Sequence, residues 1–375
     1  MPTRPTGGEV LGKRALNRAL LERQLLLRRS TLSVTASLEQ LVGLQAQAPN
    51  PPYIGLWTRL RHFTPDQLAQ LITDRQVVRI ALMRGTIHLV TSRDCLCLRP
   101  LLQPVLDRAI YANGSLISEF TGVNVDTLVV DARALLEERP LTNRQLGAAL
   151  KAAWPGHDPS ALVQAIRCLV PLVQVPPRGI WGAKGQAMHT TAETWLGRPL
   201  ETDVPLDHLV MRYLAGFGPA AIMDMQAWSG LTGLDEIVDR LRPRLRAFRD
   251  ESGRELVDLP DAPRPDPETS VGVRFLPEFD NVLLSYADRR RIISDENRKR
   301  IYTVNGLVPG TVLVDGFVSG KWTLNRSRGP ATLVIEPFTK LSKKDRSAIV
   351  EEGLRLLSFA VGDSAQSVQL IPVEA

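Results

Sequence analysis

The sequence has little of what marks secreted, membrane-spanning or metal-dependent proteins. Its three cysteines are an odd number, which argues against a disulfide framework, and Cys95-Leu96-Cys97 lacks the spacing of a zinc knuckle. No apolar run approaches the roughly eighteen residues of a membrane span, and the opening MPTRPTGGEV contains no signal-peptide core. The histidines show no metal-ligand spacing, and no glycine-rich phosphate loop occurs. We therefore expect a cytoplasmic protein without a metal or other cofactor.

The composition describes a folded, basic protein. The chain has 375 residues, 44% hydrophobic and 23% charged, which allows two or three domains, or several small modules on one core. The net charge is +6, and arginine far exceeds lysine. Arginine suits bidentate contacts with phosphate, but a GC-rich genome also favours its codons. Charge alone is therefore weak support for nucleic-acid binding.

Two glutamines follow an apolar pattern near the amino terminus. The helical spacing i, i+3, i+4, i+7 is met by Leu38, Leu41, Val42 and Gln45. Pro49 disfavours helix for the residue before it, so we expect the helix to end near Gln45. In extended chain, positions i and i+2 face the same side, which lets Gln45 and Gln47 converge. The alternative is two polar residues at a frayed helix end that cap backbone carbonyls.

Three segments resemble the AlkZ-like DNA glycosylases, a winged-helix family linked to azinomycin self-resistance in actinobacteria. They read GLQAQAPNPPYIGLW, MRGTIHLV and LPEFDNVLLSYADR, and the resemblance covers nearly the whole chain. It implies that Gln45 and Gln47 form the catalytic motif, where a sister branch has Gln-x-Asp. Family members usually have SHADR where this chain has SYADR, so any role of that imidazole is in doubt with Tyr286 in its place.

The order of predicted elements favours an α+β fold of three tandem winged-helix modules followed by a C-terminal β-barrel-like unit. Helices precede a short hairpin in each module, and the last segment turns to strands with one late helix. The predicted units are residues 10–112 with the glutamine motif, 124–200, 204–260 and 270–375. The resemblance implies the same organisation.

Local signals support these elements. Arginines of the first helix are expected on its outer face. Helix starts are indicated by Thr35, Thr64-Pro65-Asp66, Thr142 and Asp158. Strands are predicted at VVRIALM and TIHLVT, split by Arg84-Gly85, at LVQVP and IWGA in the second module, and at NVLLSY in the last unit.

A pair of amides restricts the possible chemistry. Glutamine cannot take a proton at neutral pH, but it can hold and orient water. Cleavage of a normal glycosidic bond needs activation of the leaving group, whereas an alkylated, cationic purine already departs as a neutral base. We therefore expect Gln45 and Gln47 to hold water for the excision of 7-alkylguanine or 3-alkyladenine from double-stranded DNA. Crosslink unhooking is implied by the resemblance alone.

Several basic residues are candidates for DNA contact, each with a structural alternative. The first hairpin offers Arg84 and His88, for which ordinary hairpin packing is as plausible as backbone contact. The other candidates are Arg289, Arg290 and Arg291 beside a charged loop or hairpin, and Lys321, Arg326 and Arg328 on a probable hairpin. Glu278 and Asp280 in LPEFDN favour a structural role, such as pairing with arginine.

The main alternative is a winged-helix regulator without catalytic activity. A regulator needs sequence preference, usually through a dimer with fixed half-site spacing. The sequence has no segment typical of a dimerisation coiled coil, which favours a monomeric enzyme.

Overall fold

The computed structural model describes residues 9–111, 122–303, 306–326, 331–362 and 366–373. Helices and strands alternate in the amino-terminal part, residues 9–111, which forms the first group of elements. Its helices are α1 (Lys13–Arg23), α2 (Val34–Leu41), α3 (Pro51–Arg59), α4 (Pro65–Thr73), α5 (Ser92–Leu101) and α6 (Gln103–Tyr111). Its strands are β1 (Glu9–Leu11), β2 (Leu44–Gln45), β3 (Val77–Ala81) and β4 (Ile87–Thr91).

Two further groups of helices and strands follow. The second group contains α7 (Val125–Glu138), β5 (Leu141–Thr142), α8 (Asn143–Ala153), α9 (Pro159–Leu169), β6 (Leu172–Val175), β7 (Met188–Thr191) and α10 (Ala192–Leu196). The third group contains α11 (Leu206–Phe217), α12 (Ile222–Ser229), α13 (Asp235–Leu241), β8 (Arg246–Asp250) and β9 (Glu255–Asp258). The sequence predicts helices near 206–215, 219–229 and 233–242, and the helices of this third group agree closely with them.

The carboxy-terminal part is built on one sheet. It contains β10 (Arg274–Leu276), α14 (Asn281–Leu284), α15 (Asp295–Ile301), β11 (Gly310–Val314), β12 (Phe317–Asn325), β13 (Ala331–Pro337), α16 (Lys343–Val361) and β14 (Gln366–Leu370). The strand order is β10-β11-β12-β13-β14, and β14 runs parallel to β13. Among the described strands no pairing joins β10 to β14, so the expected barrel-like closure is wrong and the sheet is open.

The hairpins of the first two groups form a single sheet. Its order is β2-β4-β3-β6-β7-β5, and β3 pairs antiparallel with β6 through Ile80 and Val173. The side chains of this contact also bond, since Arg79 Nε donates to Gln174 Oε1 at 3.1 Å. Strand β2, which carries Gln45, lies at the edge of this sheet and pairs with β4.

The first and third groups are joined through the start of the chain. Strand β1 pairs parallel with β8, so β1, β8 and β9 make a three-stranded sheet. Helix α1 contributes Leu20 and Leu21 to an apolar core that also contains Tyr213 and Trp228 from α11 and α12. Because these side chains are almost fully buried, the two groups share one core.

Most predicted helix starts are confirmed. Thr64 forms a capping box with Gln67, and the side chains of Thr142 and Asp158 accept backbone hydrogen bonds at the starts of α8 and α9. The start at Thr35 is wrong, because the Ser33 side chain accepts from the Ala36 amide at 3.2 Å and Thr35 lies inside α2.

Two predicted strands are wrong. The second strand of the second hairpin is β7 rather than IWGA (180–183), which forms turns. NVLLSY begins with the short helix α14, since the Asp280 side chain accepts from the Val282 amide and caps its first turn. Short apolar runs fit a buried turn or helix as well as a strand.

The arginines of α1 are a further correction. Arg18 and Arg23 are at most 1% exposed. Arg23 makes a bidentate pair with Asp258 at 2.7 and 2.8 Å, and Arg18 reaches Asp315 at 2.6 Å. Two further backbone acceptors, Pro263 for Arg23 and Thr269 for Arg18, lie in the proline-rich segment 261–270. Helix α1 is therefore a central tie between the parts of the chain, with charged side chains directed inward.

Candidate active site

The glutamine loop begins where α2 is stopped by two left-handed residues. Val42 has φ 54° and Gly43 has φ 81°. A Cβ at Gly43 would lie 2.5 Å from Val90 Cγ1, so only glycine fits this approach to β4. The helix therefore ends at Leu41 rather than near Gln45, and Val42 and Gln45 do not continue its apolar face.

The chain after this stop is extended along β4. Gln45 pairs antiparallel with His88, and the Ala46 amide donates to the Ile87 carbonyl at 2.7 Å. Ala46 is fully buried, Gln45 is 7% exposed and Gln47 is exposed. This extended backbone matches the conformation expected for the two amides.

Both glutamine side chains reach the turn that connects β3 to β4. Gln45 Oε1 accepts a hydrogen bond from Arg84 Nη2 at 2.8 Å. Gln47 Oε1 accepts from the Ile87 amide at 3.3 Å. The structure thus brings both amides to one short segment, residues 84–87, by separate hydrogen bonds.

A buried arginine supports the loop from beneath. Arg79 lies on β3, is 1% exposed and donates to the Ala46 carbonyl at 2.6 Å. Burial, and then the nearby Arg178, lower the pKa of Arg79 to about 10. Arg79 was not among the site residues predicted from the sequence, although an arginine inside the apolar strand VVRIA indicates a buried polar role.

Arg84 is half-buried and bonded to protein acceptors. Its backbone is left-handed, with φ 56°, and its second terminal nitrogen donates to the Trp228 carbonyl at the end of α12. Burial, and then the neighbouring Arg289, lower the pKa of Arg84 to about 10. Both terminal nitrogens of Arg84 therefore have protein acceptors. This arrangement favours the alternative of hairpin packing over contact with the DNA backbone.

His88 is buried beside this pair. It is 1% exposed, and its Nδ1 lies 2.9 Å from the Thr86 carbonyl oxygen. Because a carbonyl only accepts, Nδ1 carries the proton of the neutral ring. Burial, and then Arg84, lower the pKa of His88 to about 3. The buried, neutral ring favours the alternative of ordinary hairpin packing over contact with the DNA backbone.

The three arginines after Asp288 have different surroundings. Arg291 is 3% exposed, lies over the Tyr286 ring at 4.1 Å and donates to the Pro219 carbonyl, so it is not available to DNA. Arg290 is exposed and paired with Asp288. Arg289 stacks on Tyr302 at 4.7 Å, and its Nε lacks a hydrogen-bond partner among the described residues.

The remaining basic candidates lie on or near the C-terminal sheet. Lys321 on β12 pairs with Glu336 at 2.9 Å. Arg326 follows β12, is exposed and donates to the Ala360 carbonyl at 3.1 Å. Arg328 lies outside the described residues. Arg326 lines a cavity that also adjoins the glutamine loop.

An open cavity of about 540 Å³ adjoins the loop directly after Gln47. Four prolines and two tryptophans are among the residues that line it, with one carboxylate, Glu278, and one guanidinium, Arg326. Burial raises the pKa of Glu278.

The LPEFDN segment has a structural role at Asp280, as expected. Asp280 accepts two hydrogen bonds of 2.8 Å from Arg59, and both side chains are fully buried. Tyr286 is also fully buried, and its hydroxyl donates to the Phe217 carbonyl. At this position the chain therefore uses the aromatic side chain for packing inside the protein.

The described residues contain no group of three or more histidine, cysteine or acidic side chains able to hold a metal ion. Within the same segments, no helix is both long and apolar enough to cross a membrane.

Comparison with known proteins agrees with this architecture. The family model "DNA glycosylase AlkZ-like" matches residues 38–359. The interstrand DNA cross-link repair glycosylase of Streptomyces sahachiroi is 22% identical over 94% of this chain and 97% of its own length. The structure of Streptomyces sahachiroi DNA glycosylase AlkZ superposes with a TM-score of 0.79 and 20% identity, covering 96% of this chain and all of that one. The match does not favour a regulator, and the chain belongs to the AlkZ-like DNA glycosylase family.

Proposed function

We propose that this DNA glycosylase hydrolyses the N-glycosidic bond of cationic alkylpurines in double-stranded DNA, with Gln45 and Gln47 placing the water. The observation that carries the proposal is the convergence of both amides on the β3–β4 turn. The histidine that follows this turn, His88, is buried and neutral. A site of this composition orients water and does not supply an acid.

The lesion supplies the activation that the site lacks. Alkylation places a positive charge on the imidazole ring of the purine. The bond to C1′ breaks with its electron pair passing to that ring, which leaves as a neutral base. The water oxygen forms the new bond to C1′, and its proton is released to solvent. An amide oxygen and an oriented water stabilise the cationic sugar in part, so an unmodified base, which departs as an anion, is not expected to react.

The open cavity beside the loop supports a substrate with a bulky substituent. A base-flipping enzyme encloses its target in a narrow pocket, whereas this cavity of about 540 Å³ opens to solvent. The Streptomyces sahachiroi relative is described as an interstrand cross-link repair glycosylase. We propose that large adducts, including crosslinks, fit this chain as well.

DNA contacts are proposed for basic residues that remain accessible. Arg289, Arg290, Lys321 and Arg326 lie on the described surface or line its openings, and Arg328 is a candidate outside the described residues. Phosphate contacts by arginine and lysine make affinity fall as salt rises. Arg84 is left out of these contacts because both of its terminal nitrogens already have protein acceptors.

The finer architecture is also part of the proposal. We propose that residues 10–112, 124–200 and 204–260 are winged-helix modules and that 270–375 supports them, because each of the first three contains helices followed by a two-stranded hairpin. We further propose a monomer that acts on chromosomal DNA in the cytoplasm.

The test uses duplex DNA with a single 7-methylguanine. Abasic sites are scored by alkaline cleavage under single-turnover conditions, for the wild type, Gln45→Ala and Gln47→Ala. We expect cleavage by the wild type and a loss of at least about a hundredfold in each variant. Gln70→Ala, an exposed glutamine on α4, is the matched control. Activity that survives both substitutions contradicts the role of the amides, and a wild type inactive on methylated and crosslinked DNA contradicts the substrate class.

A further inference from the structure

The orientation of the Gln45 amide is determined by its partner. A guanidinium has donors and no acceptor, so the group that faces Arg84 must be the oxygen of Gln45. The 2.8 Å bond between Arg84 Nη2 and Gln45 Oε1 satisfies this requirement. The Gln45 nitrogen has no acceptor among the described residues. It is also not one of the buried polar atoms that lack a hydrogen-bond partner, so it is accessible to solvent. That nitrogen therefore faces the open side of the loop.

Gln47 is oriented by a second obligatory donor, but more loosely. The Ile87 amide donates to Gln47 Oε1 at 3.3 Å, at the long end of the range for such bonds. A carbonyl oxygen has two lone pairs, and the Gln47 side chain is exposed. Gln47 therefore still has an oxygen available to accept a hydrogen bond from water.

Arg84 is itself fixed by the third group of elements. Its other terminal nitrogen donates to the Trp228 carbonyl, in the last turn of α12. Gly230 follows with φ 85°, and a Cβ there would lie 3.2 Å from Arg84 Cα. The carbonyl end of a helix carries partial negative charge and favours a cation. The guanidinium is thereby held between the end of α12 and Gln45.

We propose that Arg84 is a positioning residue that divides the work of the two amides. It turns the Gln45 oxygen inward, so that the Gln45 nitrogen donates to the attacking water while the Gln47 oxygen accepts from it. Such a water has its second lone pair free for C1′. Hydrogen bonding to Arg84 also polarises the Gln45 amide and strengthens its N–H donors. This inference rests on the proposed function for its catalytic consequence, but the orientation itself is independent of it.

Two substitutions of glutamate for glutamine test whether Gln45 donates to the water and Gln47 accepts from it, or whether the two amides play the same role. Gln47→Glu keeps an oxygen acceptor, so its single-turnover rate at saturating enzyme should fall at least about tenfold less than that of Gln45→Glu. Gln45→Glu removes the donor and places a carboxylate against Arg84, so its rate should fall at least about a hundredfold. Equal retention of activity in both variants would overturn the division.

Arg84 variants test the positioning role. Arg84→Met should lower the saturating rate at least about tenfold while the dissociation constant for undamaged DNA changes little, and Arg84→Lys should restore part of the rate through its single ammonium donor. A weaker dissociation constant with an unchanged saturating rate would instead make Arg84 a phosphate contact and overturn the inference. Arg198→Met, an exposed arginine paired with Glu201, is the control.

A spectroscopic measurement separates this inference from the proposed function. In the ¹⁵N-labelled full chain, the side-chain amide signal of Gln45 is identified by its loss in Gln45→Ala. We expect that signal to shift in Arg84→Met, to be partly restored in Arg84→Lys and to be unchanged in Arg198→Met. An unchanged signal in Arg84→Met overturns the inference, whether or not the wild type cleaves DNA.

Discussion

Arg59 and Asp280 join the glutamine-bearing part of the chain to the C-terminal part by a fully buried, bidentate ion pair. Both hydrogen bonds measure 2.8 Å, and the two residues are separated by 221 positions in the sequence. Arg59 lies on α3, directly after the glutamine loop, and it also bonds the Gln24 and Gly55 carbonyls. The pair therefore fixes α3 against the LPEFDN segment.

Removing one partner of this pair should be strongly destabilising. Asp280→Ala leaves the Arg59 cation buried without its carboxylate, for which a cost of about 3–5 kcal/mol in the free energy of unfolding is typical. Urea unfolding followed by circular dichroism measures it. Glu351→Ala, which breaks the exposed pair with Arg355, should cost less than about 1 kcal/mol. Similar losses in the two variants would contradict the structural role given to Asp280.

Excision should not depend on a group that titrates near neutrality. Gln45 and Gln47 do not ionise, and the pKa of His88 is lowered to about 3. We expect the single-turnover rate on 7-methylguanine to change less than about twofold between about pH 5 and pH 7. The measurement is a pH series at saturating enzyme. A rate that rises about tenfold over this range would instead identify a histidine base.

His88 should make the protein less stable in acid. Between its folded pKa of about 3 and its ordinary value of 6.5, the unfolded chain binds a proton that the folded chain does not. This contribution to stability is therefore complete above pH 6.5 and is lost as the pH falls toward 3, by up to about 1.4 kcal/mol per pH unit. His88→Asn should reduce the slope of unfolding free energy against pH.

The control for this prediction is His62→Asn. His62 is exposed and has φ 57°, a conformation that asparagine tolerates. We expect its slope to equal that of the wild type. His189, whose pKa burial lowers to about 4, should leave a residual slope in His88→Asn. If both single variants keep the full wild-type slope, the burial of a neutral His88 is not what sets it.

Filling the cavity beside the loop should discriminate between small and large lesions. Thr323 is an exposed residue of β12 that lines this cavity. Thr323→Trp should leave the rate on 7-methylguanine within about twofold and lower the rate on a polycyclic 7-guanine adduct by at least about tenfold. Thr73→Trp, on the exposed side of α4, controls for added bulk. A proportional loss on both substrates would show that the cavity does not receive the substituent.

The predictable parts of the fold were those determined by neighbouring residues. Thr64-Pro65-Asp66, Thr142 and Asp158 combine a side-chain acceptor with a favourable first turn, and each starts a helix. The boundary after α2 was less accessible. Periodicity extended the helix to Gln45, whereas the close approach of Gly43 to Val90 ends it four residues earlier.

The remaining features depend on partners far along the chain. Arg23 and Arg84 look like solvent-facing cations in the sequence. In the structure, Arg23 donates to Asp258 and Arg84 donates to the Trp228 carbonyl. No local pattern encodes those partners, since they lie 235 and 144 positions away. The resemblance identified the two glutamines, but the residue that orients Gln45 became evident only from the structure.

The parallel pairing of β1 with β8 has a consequence for folding. Glu9 and Arg246, which also form an ion pair across these strands, are 237 residues apart. Such distant contacts make loop closure costly and folding slow. A ribosome must release almost two thirds of the chain before the first strand finds its neighbour. A fragment that stops after the first hairpin also lacks the Trp228 carbonyl to which Arg84, the partner of Gln45, donates, so it would not be a small, transferable repair module.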